Sequence, residues 1–161
     1  MKQFHQSSSN IEAEINASLG QISKKLFTDS MNYQTSFRFL KITGGAGRSL
    51  QSILDQSLED TVEIGGSESI SNELFHEDCR DKISYQGDHG SHPNLIYIQS
   101  KGFSESLTSL LLALQQITDT SDLLLSFWLL EGNPFYPVFW EFSYLIESKG
   151  DSYIFIGSSS D

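Results

Sequence analysis

The longest-ranged pattern in the chain is helical: Ile11, Ile15, Leu19, Ile22 and Leu26 recur at steps of four, four, three and four, one apolar stripe on a helix over about 10–28. Asn10 stands where a cap belongs, Ala13 and Ala17 suit the interior, and Gly20 leaves room for a close neighbour. Glu12, Asn16 and Lys24 lie off the stripe, so this helix is expected to cover a sheet with one side only. At "YQTSFRFLKIT" the period becomes two. Tyr33, Thr35, Phe37, Phe39 and Lys41 share one face and Arg38, Leu40 and Ile42 the other, which predicts a strand over 33–43. "GGAG" ends it, and Leu50, Ile53, Leu54 and Leu58 predict a short second helix capped by Ser49.

Between Gly65 and Asn94 the pattern fades into polar, turn-rich sequence in which only "KISYQ" reads as a strand. "NLIYIQS" predicts an inner strand near 95–99, and Leu107, Leu110, Leu111, Leu114 and Ile117 a helix over about 104–118. Three strands follow, "DLLLSFWLL", "VFWEFSYLI" and "SYIFIG", separated by turns at "EGNPFYP" and "ESKGD". In the middle one Phe139, Glu141, Ser143 and Leu145 alternate with Trp140, Phe142, Tyr144 and Ile146, the pattern of a half-buried strand with one aromatic and one mixed face. The fold class is therefore α+β: an antiparallel sheet covered by two or three helices. All 161 residues belong to one compact domain, with polar, frayed ends at about 1–9 and 158–161.

Charge adds a direction to this picture. The formal net charge is −11, and the stretch from Asp55 to Asp88 sets ten carboxylates against Arg80 and Lys82, a net of −8. Such a field repels a nucleic-acid backbone and steers a basic protein toward itself; it also serves solubility alone. Arg38, Lys41 and Arg48 are too sparse beside it for direct nucleic-acid binding. The apolar runs fall short of the ~20 residues that span a bilayer, so no membrane association is expected. The start "MKQFHQSSSNIEAEIN" lacks the apolar segment of a secretory leader, which makes the cytoplasm the expected compartment.

"FWLLEGNPFYPVFWEF", residues 127–142, concentrates aromatic rings around Gly132, Pro134 and Pro137. Adjacent strand residues face opposite ways, so Phe139 and Trp140 are expected to divide between the helix layer and a second surface: another layer, a copy of the chain or another protein. Phe135 and Tyr136, in a loop stiffened by proline, are the expected exposed anchors. A cage for a cationic ligand, with Glu131 or Glu141 supplying charge, is a weaker use of the same rings.

The strongest apparent chemistry is His76, Cys79, His89 and His92, spaced H-x2-C-x9-H-x2-H. These are zinc-ligand types in close pairs, and Cys79 beside a histidine could also serve as a nucleophile. The lone cysteine, the missing further thiols and the carboxylates around Cys79, which disfavour a thiolate, weigh against both. Glu77 with Asp81, and Glu59 with Glu63, are spaced for paired-carboxylate chemistry, as an acidic segment produces without it. "GGAGRS" presents backbone NH groups to an anion but matches neither phosphate-binding glycine pattern.

The functional expectation is a small acidic, non-enzymatic module, without cofactor, that binds a basic protein through Glu59, Asp60, Glu63, Glu77, Asp78, Phe135 and Tyr136. Its narrowest form is an inhibitor or immunity protein for a basic toxin or nuclease, acting by steric occlusion. The alternatives are a metal-dependent hydrolase or thiol enzyme centred on the His/Cys cluster, and a structural homodimer.

Overall fold

A computed structural model describes residues 10–28, 32–88 and 91–160. Helix α1 (Ile11–Phe27) forms on the predicted stripe and buries Ile15, Leu19, Ile22 and Leu26, each burial contributing roughly 1.5–3 kcal/mol. Asn10 caps with its backbone alone, its carbonyl accepting from Glu14 NH at 3.0 Å. Gly20 has no neighbour within 4 Å of where a Cβ would stand, so it serves no close packing. Then follow β1 (Gln34–Ile42), α2 (Leu50–Ser57), β2 (Glu63–Ser69), α3 (Asn72–Ile83), α4 (Leu95–Ile98), α5 (Lys101–Thr118), β3 (Ser121–Glu131), β4 (Trp140–Ser148) and β5 (Asp151–Ser160). The strands make one antiparallel sheet in the order β1-β5-β4-β3-β2, an α+β fold. Among the described residues no helix is long and apolar enough to cross a membrane.

Two cores lie on the two faces of the sheet. On one, α1, α3 and α5 pack over Phe39, Phe142, Tyr144 and Phe155; on the other, Ile53 and Leu54 of α2, with Leu58 and Val62, cover Phe127, Leu145, Ile154 and Ile156. β4 is central and covered on both sides, hence buried along nearly its whole length rather than on one face. The β4–β5 turn places Lys149 (φ 53°) and Gly150 (φ 83°) in the left-handed region, the backbone that a two-residue hairpin loop of matching twist requires. Trp140 faces the three-helix core. Phe139 precedes the strand, escapes its alternation, and packs against Tyr33 and Tyr85 on that same side, at 5.9 and 5.5 Å between ring centres.

Three expectations are corrected. The segment predicted as a strand near 95–99 is instead the helical turn α4 (Leu95–Ile98), started by Asn94, whose side chain accepts from Tyr97 NH at 3.1 Å; so short an apolar run does not separate helix from strand. The quiet stretch after Gly65 holds β2 and α3, and "KISYQ" begins as the last turn of α3 rather than as a strand. Ser71 caps α3 by accepting from Leu74 NH at 3.1 Å, and Phe75, Cys79 and Ile83 make its buried stripe. Finally, Ser158, Ser159 and Ser160 do not fray. They lie in β5, Ser158 and Ser159 buried between Ser36 and Thr35 on one side and Glu141 and Trp140 on the other. Pairing on both edges holds a strand whatever its polarity. The expected frayed segment 1–9, and Asp161, lie outside the described residues.

Candidate functional site

The acidic stretch passes from one face of the sheet to the other. α2 and the connector after it lie on the face whose core includes Leu58 and Val62, β2 forms an edge strand, and α3 packs on the opposite face. Glu59 and Asp60 are therefore separated by the sheet from Glu77 and Asp78, while Glu63 lies in the edge strand itself. Asp78 is further committed inside the protein: its carboxylate accepts from the Tyr144 hydroxyl and pairs with Lys82 at 3.2 Å. Burial, then Cys79 and Asp78, holds the Tyr144 phenol well above its ordinary pKa, so it stays a donor.

On the side of α2 the fold does join two predicted pieces. Gly132 (φ 85°) lies so close to the connector that a Cβ there would come 2.4 Å from the Thr61 carbonyl oxygen, a position only glycine fills. The contact seats the start of the β3–β4 loop against the backbone beside Glu59, Asp60 and Glu63, and Glu63 is opposite Glu131 in the strand register. Asn133 then accepts from Phe135 NH at 2.9 Å. Phe135 is not the free anchor expected of it: it is half-buried against the α2-side core, with the Arg38 guanidinium 5.9 Å from its ring centre. Tyr136, at 80% exposure, is free.

The described His/Cys candidates, His76, Cys79 and His92, lie in different surroundings. Cys79 is fully buried in the three-helix core, and burial, with Asp78 adding, raises its thiol pKa well above the ordinary value, so the thiolate is disfavoured. His76, one helical turn away, points elsewhere, its Nε2 3.0 Å from Thr118 Oγ1. Burial lowers the His76 pKa, opposed by Asp119 and reinforced by Arg80. His92 Nδ1 lies 3.1 Å from the Pro93 carbonyl, and His89 falls outside the described residues. Among the described residues no group of three or more His, Cys, Asp or Glu is arranged to hold a metal ion.

"GGAGRS" does bind anions, but they belong to the protein. Gly44 NH donates to Asp151 at 2.8 Å and Gly47 NH to the buried Glu147 carboxylate at 3.2 Å. The loop thereby satisfies an acid that would otherwise be costly to bury.

One feature escaped the sequence pattern: an open groove of about 820 Å³ between α3 and α5, walled by Glu73, His76, Glu77, Arg80 and Asp81 on one side and Leu112 among others on the other. Its signal was present in the Ser71 cap and the four-residue recurrence of Phe75, Cys79 and Ile83, which set Glu73, Glu77 and Asp81 on a second stripe. No protein-family model, curated protein or solved structure matches this chain.

Proposed function

We propose that this protein is a binding module for a basic protein, docking at the α2-side end of the sheet where Glu59, Asp60, Glu63 and Glu131 adjoin the loop that carries Tyr136. The contact of Gly132 with Thr61 and Val62 is the observation that supports it most. Tyr136 stands four residues beyond Gly132, hence within about 14 Å of it along the chain. A standard interface of about 800 Å² per partner spans that distance, so carboxylates and ring fit one footprint. The carboxylates steer the encounter and Tyr136 supplies a desolvated contact. Glu77 and Asp78, beyond the sheet, take no part.

The narrowest form of this reading is an inhibitor that occludes a basic toxin or nuclease. The burial of Cys79 favours binding over thiol catalysis. The test is capture of a partner from native lysate, followed by binding kinetics. Replacing Glu59, Asp60 and Glu63 with their amides is expected to lower the association rate about tenfold at low salt and to flatten its salt dependence. Tyr136→Ala is expected to raise the dissociation rate about tenfold, and Glu77→Gln to change neither. Association indifferent to both salt and the three amides rejects the reading.

A further inference from the structure

The groove between α3 and α5 lies on the other face of the sheet from that surface and has its own chemistry. Each helix gives its apolar stripe to the core, Phe75, Cys79 and Ile83 from α3 and Leu107, Leu110 and Leu114 from α5. The neighbouring stripe of each forms a groove wall. Asn72 donates to the Thr118 carbonyl at 3.0 Å and His76 bonds Thr118 Oγ1, pinning the first half of α3 to the end of α5. Leu112 is 56% exposed in the groove, and Leu111 packs behind it.

Glu73, Glu77 and Asp81 follow at four-residue steps, about 6 Å apart along α3. With Asp119 they face Arg80 as the one permanent cation among the lining residues, and among the described residues none of the four carboxylates enters an ion pair. A row of carboxylates at helical spacing beside an exposed leucine matches an amphipathic helix that carries Lys or Arg at i and i+4 next to an apolar stripe. A second copy of this chain does not supply one: no described helix carries two Lys or Arg residues four apart.

We propose that the α3/α5 groove docks a basic amphipathic helix of another protein, with apolar residues on Leu112 and its cations on Glu73, Glu77 and Asp81. The probe is a pair of synthetic 18-residue Leu/Lys peptides of identical composition, one with helical periodicity and one scrambled, titrated into the full chain and followed by backbone amide shifts and affinity. The periodic peptide is expected to bind at least tenfold more tightly and to shift amides in 73–81 and 108–119. Glu77→Lys with Asp81→Lys is expected to weaken it at least tenfold and Leu112→Ser at least threefold, while Glu59→Lys with Glu63→Lys stays within twofold. Should the double reversal unfold the chain, Glu77→Gln and Leu112→Ser carry the same comparison. Equal binding of the scrambled peptide, shifts confined to 59–63 and 132–138, or indifference to the groove variants overturns the proposal.

Discussion

The two edges of the sheet are protected in opposite ways. At β1, α1 lies along the edge and bonds its outward backbone groups: Glu12 accepts from Lys41 NH at 3.2 Å, Asn16 donates to the Phe39 carbonyl at 2.9 Å, and Ser23 donates to that of Thr35 at 2.8 Å. β2 pairs with β3 alone, and among the described residues no hydrogen bond reaches its other edge. That strand relies on composition. Gly65 and Gly66 lie under the Trp128 indole, where a Cβ on Gly66 would meet the ring at 2.2 Å, and Glu63 and Glu68 flank them. Two copies pairing antiparallel about the glycines would set Glu63 against Glu68, so like charge disfavours self-association. One edge is closed by a helix and is therefore part of the core's stability; the other is left open, with like charge opposing its pairing to a second copy.

The largest expected consequence is a difference in what each edge contributes to folding. Ile15→Ala, under the helix that closes β1, is expected to cost about 2–5 kcal/mol in chemical denaturation and to speed hydrogen exchange at the Lys41 amide. Ile64→Ala, on the half-buried open edge, is expected to cost about 1 kcal/mol. Equal losses would break the comparison.

Alkali should act next, on the closed side. Tyr33, just before β1, accepts from Trp140 Nε1 at 2.9 Å, and burial pushes its pKa up to about 12 against that bond. Because the folded-state pKa is raised, this stabilisation is complete below pH ~10 and is lost as pH rises from ~10 through ~12. The loss is about 2–3 kcal/mol. Stability measured across that window should fall in the native chain and fall less steeply in Tyr33→Phe.

The smallest effect belongs to the open edge. Glu131→Lys turns the Glu63–Glu131 cross-strand pair from like to opposite charge and is expected to stabilise by about 0.5 kcal/mol at low salt, a gain that 1 M salt removes. A gain that persists in salt would assign the effect to packing.

Of the fold, the sequence by itself determined the elements with long, unbroken periods. The stripe from Ile11 to Leu26, the alternation from Tyr33 to Ile42 and the leucines from Leu107 to Leu114 each repeat often enough to name helix or strand, because side-chain direction follows from backbone geometry alone. It also determined the Ser49 cap, a local bond to Ser52 NH. Tertiary structure decided what depends on neighbours distant in the chain. Leu95–Ile98 turns helical around the Asn94 cap, and Ser158 and Ser159 hold as strand because both flanks are paired, with Ser160 still paired to Gln34 of β1. Glu12 and Asn16 look like a solvent face until β1 lies beside them. The candidate surface was legible as residue types but not as one place: the sheet passing between α2 and α3 divides the acids, and Gly132 against Thr61 joins three of them to the loop that bears Tyr136. Composition fixes how much charge a segment carries, whereas its gathering or division is set by which strands pair between its two halves.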